Sequence, residues 1–443
     1  MPEEPGTPRS GSGDPRASSS LFATDPHGLS QAAPSRQDGV APLRHLPEAL
    51  RLPLFRRYLL GLGPLSLGTW MQLVALGYLT LQVTGSVAAV GLVGAADGIP
   101  AVLLSVPAGA VGDQFPRRLV LMVATSALGL TSLGLALAAG LGRASLPVLV
   151  GAAICFGAAD SFNAPSRQAL IADLVPRDQL VGAATLTSSV GSAARIIGPA
   201  VAGILLGTLG AASCFLAMAA SVIPLLGVLS HGPWPVARTS STEMGALGRV
   251  LEGMRWSRAD PLVRSVLLGS LTLGALGIGY MPYLPVFARE QLHGGGQVLG
   301  LMYSVGGIGA LAGGLALSLF SRRLRRNRLL LAAAPLYAAA LFGLTRAPTL
   351  WLAIPCLAGI SLGFMAANTA LLTTLQAAAP PEMRARVMAL YSLAYAGGGP
   401  LGTLLYAGLS RFVPLFSAIA GGAVVVGLVL LWTATRPTMR ALP

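Results

Sequence analysis

Apolar stretches of about 20 residues, rich in Leu, Ala, Gly, Val and Ile, follow one another from residue 58 to 435 with short polar gaps between them. A helix rises 1.5 Å per residue, so ~20 residues cross a ~30 Å hydrocarbon layer and each stretch predicts a membrane-crossing helix. Twelve are expected, at 58–83, 86–112, 119–140, 146–167, 180–207, 210–230, 262–288, 297–320, 328–345, 349–375, 387–409 and 413–435. The predicted fold class is an all-α polytopic membrane protein with twelve transmembrane helices. The longest polar gap between spans, His231 to Asp260, divides six from six. The expected layout is a disordered tail over 1–50, a six-helix bundle over 51–230, a linker over 231–261, a second bundle over 262–435 and a short tail over 436–443.

The polar gaps are not alike. Every one of the 30 basic residues is arginine, and 25 of them fall in the two tails and in the gaps after the even-numbered spans. Only Arg143, Arg289, Arg346 and Arg411 fall in the other gaps. By the positive-inside rule both termini are expected in the cytoplasm. Arg195 fits neither set, because it lies within the fifth span.

Composition agrees, with 53% hydrophobic and 10% charged residues and a mean hydropathy of +0.69. The net charge of +14 is then read as loop arginines facing anionic lipid rather than as a nucleic-acid surface. Cys155, Cys214 and Cys356 lie within apolar spans and read as small buried residues, not as disulfide partners or metal ligands. Residues 1–50 are rich in Pro, Ser, Gly and Arg and contain no long apolar run, so no signal peptide is expected. The absence of lysine excludes a Walker A loop and a Schiff-base cofactor. No cofactor or metal is expected, no histidine falls mid-span, and no HExxH helix or GxSxG elbow marks an enzyme.

The halves echo each other. Asn163 precedes Pro176 by 13 residues, as Asn368 precedes Pro381, and Gly198-Pro199 in the fifth span matches Gly399-Pro400 in the eleventh. Arginine clusters follow the second and eighth spans alike. The common order suggests a duplicated six-helix unit, a plan that recurs among transporter folds.

The gap after the second span carries the most specific motif, Gly109-Ala-Val-Gly-Asp113-Gln-Phe-Pro116-Arg117-Arg118. It resembles the loop signature of the major facilitator superfamily, with Gln114 and Pro116 in place of the usual Arg and Gly. Asp113 is placed where the eleventh helix begins on the same side, and a carboxylate at a helix N-terminus is favoured by roughly 0.3–1 kcal/mol, so it is expected to latch the halves together. The resemblance further implies that an arginine of this loop pairs with an acid of the fourth helix, where Asp160 stands as the acid available. The bland alternative for Arg117 and Arg118 is membrane topology alone.

In the fifth span, Gly191, Gly198, Pro199 and Gly203 form a pattern similar to that of superfamily antiporters, suited to close helix packing and bending. The stretch from Asp160 to Gly203, with Pro285-Val-Phe-Ala-Arg289-Glu290 and Tyr303-Ser-Val-Gly-Gly-Ile-Gly, resembles the exporter branch that contains the enterobactin exporter and related secretion effectors. That resemblance implies a bacterial plasma-membrane protein that exports a small amphipathic molecule.

Three ionisable residues lie deep in the spans, namely Asp97, Asp160 and Arg195. A charge at the bilayer centre costs at least ~2.5–3.5 kcal/mol, which makes each a candidate functional group. Asp97 and Arg195 sit at similar depth, about 17 and 18 Å from the outer ends of their helices. Asp97 is expected to be the protonation site, Arg195 its partner or a substrate anchor, and Asp160 a gate residue paired with the loop arginines. A fixed structural ion pair is the alternative. Trp70, Gln72, Tyr280, Asn368, Tyr391 and Tyr395 are candidates for a cargo cavity, and Pro282 and Pro285 are expected to break the seventh helix near its outer end.

The resulting expectation is a secondary active transporter, monomeric, exporting a drug, siderophore or metabolite by alternating access with protons as coupling ion. A lipid or lysophospholipid flippase of the same fold is the first alternative, and a non-transporting membrane sensor the second.

Overall fold

The computed structural model describes residues 46–104, 107–108, 111, 114–231, 234, 255, 257, 260–320 and 325–436. The N-terminal tail up to residue 45, nearly all of the linker, and Gly109 and Asp113 of the loop motif lie outside the described residues, as do Arg322, Arg323 and residues 437–443.

Every regular element among the described residues is helical. After a short leading helix, Leu46–Arg51, come α1 (Pro53–Thr84), α2 (Val87–Leu103), α3 (Arg117–Gly140), α4 (Leu146–Leu174), α5 (Leu180–Thr208) and α6 (Ala211–Ser230). The second six are α7 (Pro261–Gln291, interrupted), α8 (Gly296–Phe320), α9 (Arg326–Leu344), α10 (Leu350–Ala378), α11 (Pro381–Leu409) and α12 (Leu415–Thr435). Ten of them are long and apolar enough to cross a membrane. The exceptions are α2, described over 17 residues, and α11, whose 29 residues include glycines and tyrosines that dilute its apolarity.

Turn chemistry sets the breaks between them. Gly85 ends α1 in the left-handed conformation, φ 61°, and its N–H closes on Leu81 O, while the Ser86 side chain accepts the Ala89 N–H to start α2. Asp260 caps α7 by accepting the N–H groups of Leu262 and Val263.

One pairing scheme is used twice. Helix α1 packs on α5 and α6, α2 on α4, and α3 on α4 and α6; likewise α7 packs on α11 and α12, α8 on α10, and α9 on α10 and α12. The two bundles meet chiefly along α5 with α8 and α2 with α11. Glycine permits both crossings. A methyl group on Gly203 would lie 3.0 Å from Gly296 O, and one on Gly98 would overlap the Pro400 ring. Close inter-bundle approaches run from mid-helix, at Gly307 against Arg195 O, to the ends remote from the chain termini, where Arg289 donates to Leu81 O at 3.4 Å.

Helix α7 is broken as Pro282 and Pro285 predict, and further than they predict. It runs α-helical over Pro261–Thr272, π-helical over Leu273–Ile278, 3-10 over Met281–Tyr283 and π-helical again over Phe287–Gln291. In lipid, backbone groups released from a helix need partners. Side-chain hydroxyls from three neighbouring helices supply them: Tyr406 donates to Leu276 O at 2.9 Å, Tyr337 to Gly277 O at 2.5 Å, Thr403 to Gly279 O at 3.3 Å and Tyr303 to Met281 O at 3.0 Å.

Candidate functional site

Between α1, α2 and α4 lies a cavity of about 270 Å³ lined by Trp70, Gln72, Asp97, Phe156 and Asp160 among others. An adjoining cavity of about 260 Å³ lies where α1 and α2 face α7, α8 and α11, with Met281, Tyr303, Tyr395 and Thr403 in its wall. Leu73, Leu76, Asp97 and Gly98 line both. Asp97 therefore stands at the junction of the two cavities.

Its position depends on a close helix crossing. A methyl group on Gly157 of α4 would overlap the backbone carbonyl of Asp97, so only glycine lets α4 approach α2 at this height. One turn further along α4, Asp160 enters the same cavity wall. Among the described residues neither carboxylate makes a hydrogen bond or an ion pair, and no arginine or histidine lines the cavity they share. Arg167, two turns beyond Asp160, is within its electrostatic reach.

Arg195 does not pair with Asp97, contrary to the expectation from depth. Its guanidinium lies 5.4 Å from the centre of the Trp70 ring, a cation–π contact, and its field reaches Tyr280 and Tyr395. Depth gives the height of a residue on its helix and leaves its azimuth open; Arg195 turns toward α1, Asp97 toward α4.

Asp160 likewise does not meet a loop arginine. Arg117 donates to both carboxylate oxygens of Asp173, at 2.8 and 2.9 Å, and to Ala169 O at 3.2 Å. The expected span stopped at Arg167, but α4 continues to Leu174 and carries Asp173 to the arginine. Arg118 tucks under the end of α6, donating from Nε to Leu229 O at 2.6 Å and from a terminal nitrogen to Ser230 O at 3.1 Å. It thus satisfies carbonyls that a helix C-terminus leaves open and brings a positive charge to the negative end of its dipole.

The remaining candidates divide. Trp70 and Gln72 line the Asp97–Asp160 cavity and Tyr395 lines the adjoining one. Gln72 is 1% exposed, takes the Ser132 hydroxyl on its carbonyl oxygen, and leaves its amide nitrogen buried without a partner. Asn368 and Tyr391 bond each other at 2.6 Å, and Tyr391 stacks on Tyr395 with ring planes 6° apart. Tyr280 is buried outside both cavity walls. In α5, Gly198 packs against Trp70 Cβ and Gly203 against α8, whereas Gly191 faces open space and so has no part in close packing. Ser304 of α8 donates to Ile196 O at 2.8 Å, within the turn that Pro199 interrupts. Asp173, Tyr303 and Thr403 were not among the sequence candidates. A longer fourth span would have included the first; nothing in the sequence marks the hydroxyls as partners of a broken helix.

Comparison with known proteins places this geometry in a family. The chain is 29% identical over 335 residues to the enterobactin exporter EntS of Escherichia coli O1:K1, covering 73% of this chain and 78% of that one. Among solved structures it resembles a single-substitution mutant of the nucleoside transporter NupG, with TM-score 0.75 and 16% identity over 86% of this chain and 99% of that one. A bacterial homologue of the iron transporter ferroportin in an inward-facing state matches with TM-score 0.67 and 16% identity over 87% and 99% of the chains. A bacterial homologue of the human lysosomal transporter Spinster matches with TM-score 0.65 and 18% identity over 86% and 96%. These proteins are transporters, not enzymes. A family model described as transmembrane secretion effector matches residues 49–442. The chain belongs to that family, within the major facilitator superfamily.

Proposed function

We propose that this chain is a proton-coupled exporter of a small amphipathic molecule, working by alternating access as a monomer in a bacterial inner membrane with both termini in the cytoplasm. The observation that carries the reading is the place of Asp97, a mid-membrane carboxylate without a partner among the described residues, at the junction of a cavity within the first bundle and a cavity between the bundles. Such a group is costly unless used, and a carboxylate that can be neutral or charged links protonation to the packing around it.

The glycine crossings between the bundles fit an outer side that is closed. With the arginine-rich side cytoplasmic, the glycine crossings lie from mid-membrane to the outer face. Similarity to the enterobactin exporters supports export over import. A lipid-like cargo is the second reading, favoured by a groove of about 610 Å³ between α2, α7 and α11, walled by Val102, Leu268, Leu393 and Leu401 with Arg264 among its lining.

The test is transport in proteoliposomes of a panel of siderophores, amphipathic drugs and fluorescent lysolipids, with and without a proton uncoupler. Accumulation that the uncoupler abolishes supports proton-coupled export. Uncoupler-insensitive flux, or flux of lysolipid alone, contradicts it.

A further inference from the structure

We infer that Arg195 anchors an anion site between the two bundles, where its guanidinium and the phenol hydroxyls of Tyr280 and Tyr395 together receive the carboxylate of an aromatic cargo. This deepens the transporter reading and rests on the space between the bundles being the cargo path. Arg195 is a half-buried charge in the middle of α5, and a charge at that depth is retained where something compensates it. The protein supplies little. Trp70 offers the face of its ring at 5.4 Å, and among the described residues the guanidinium makes no ion pair and no hydrogen bond. A cation–π contact balances part of the charge and leaves the in-plane N–H groups, a fork that matches a carboxylate, without an oxygen acceptor. The carboxylates of Asp97 and Asp160 do not fill that role, since they line a cavity whose wall Arg195 does not join.

The tyrosines of the second bundle supply an independent observation. Tyr283, Tyr303, Tyr337, Tyr391 and Tyr406 donate, in that order, to Thr403 O, Met281 O, Gly277 O, the Asn368 side chain and Leu276 O. The other two, Tyr280 and Tyr395, donate to nothing among the described residues, and they are the two that the field of Arg195 reaches. Donor groups from α5, α7 and α11 are thus gathered around one cation with none of their protons spent on a protein acceptor, an arrangement that an oxyanion completes. There is room for it. A methyl group on Gly191, one turn before Arg195 on the same face of α5, would meet nothing within 4 Å, and long helical side chains lean toward the turn that precedes them.

The rings around the site set the rest of the ligand. Tyr395 lies 6.1 Å from Tyr391 with planes 6° apart, and 6.1 Å from Phe364 of α10 with a tilt of 41°. An aromatic body held by its carboxylate at Arg195 extends this row through the offset and edge-on contacts that rings prefer. Because Arg195 belongs to the first bundle and the two tyrosines to the second, an anion held by both spans the surface along which the bundles part. The site therefore favours arylcarboxylates over neutral amides of the same shape, and it repels a cationic amphipath.

The experiment uses the full-length protein in lipid nanodiscs with 2-naphthoate and 2-naphthamide, probes of one shape in which a carboxylate is replaced by a neutral amide. Equilibrium dialysis against empty nanodiscs of the same lipid subtracts partition into the bilayer. The expected result is naphthoate bound about tenfold or more tighter than the amide at neutral pH. Arg195→Gln brings that ratio to within about twofold, and Tyr280→Phe with Tyr395→Phe, which keeps both rings, lowers it by about threefold or more. With a net charge of +14 the chain attracts anions in general, so the loss on removing one of its 30 positive charges is what assigns the carboxylate to Arg195. Because the readout is a ratio of two affinities in one preparation, partial loss of folded protein does not imitate the effect. Equal binding of the two probes by the wild-type protein, binding of neither, or a ratio that survives either variant overturns the site. Export itself is decided separately by the uncoupler assay: accumulation of a neutral cargo alone would defeat this inference and leave the transport reading intact, and naphthoate binding without flux of any cargo would do the reverse.

Discussion

Gly157 of α4 lies against the backbone carbonyl of Asp97 in α2, with no room between them for a methyl group. The consequence is that the carboxylate's position is determined by a glycine on another helix. Gly157→Ala is expected to push α4 away from α2, lowering stability by about 1–3 kcal/mol as overpacked interiors do. Because the displaced group is Asp97 itself, transport should fall further than expression does. The thermal transition in detergent and transport normalised to folded protein check this; an alanine variant with unchanged stability and rate would show that the two helices are not in register here.

Arg117 and Asp173 form an ion pair at 2.8 Å in which each residue opposes its own helix dipole, an arginine at the start of α3 and an aspartate at the end of α4. The pair offsets two unfavourable placements. Asp173→Asn is therefore expected to cost about 0.5–1 kcal/mol. The exchange Arg117→Asp with Asp173→Arg restores the pair and aligns both charges with the dipoles, so its thermal transition should match or exceed wild type. A double variant less stable than either single change would show that the charges at these two helix ends do not act as a pair.

Arg195 and Trp70 are coupled by a cation–π contact at 5.4 Å rather than through Asp97. A double-mutant cycle with Arg195→Met and Trp70→Leu should give a coupling of about 1–2 kcal/mol, the range for a partly desolvated pair. The corresponding cycle between Arg195 and Asp97 should give coupling near zero. The reverse pattern would return Arg195 to the role that depth alone suggests.

The interrupted α7 depends on hydroxyl donors. Tyr337→Phe and Tyr406→Phe remove the partners of Gly277 O and Leu276 O and should each lower stability by about 0.6–2 kcal/mol. Unfolding in mixed micelles measures it. Phenylalanine variants as stable as wild type would mean that these carbonyls find other donors without cost.

The helices themselves were legible in the sequence because a membrane span requires an uninterrupted apolar run, and that requirement is one of length. Their ends were legible only where a glycine or a capping side chain stood, as at Gly85 and Ser86. Charged first and last turns were cut off, which is why α4 appeared to stop at Arg167 and Asp173 was passed over, and why α11 begins at Pro381 rather than 387. Pro282 and Pro285 marked the break in α7, while the π-helical stretch Leu273–Ile278 is made of Leu, Gly, Ala and Ile and carries no such mark. For the site, the rarity of charge in apolar spans was enough to single out Asp97, Asp160 and Arg195. Which of them face each other depends on helix rotation, about 100° per residue, and a sequence that is apolar on all sides does not record it.

If protonation of Asp97 drives transport, as proposed, two modes of transport separate in proteoliposomes for a cargo that the wild-type protein accumulates. Asp97→Asn should lose accumulation driven by an imposed proton gradient and keep exchange of labelled for unlabelled cargo at equal concentrations, since exchange needs the alternating helices and not the proton. Gradient-driven accumulation by Asp97→Asn at the wild-type rate would remove Asp97 from the coupling step.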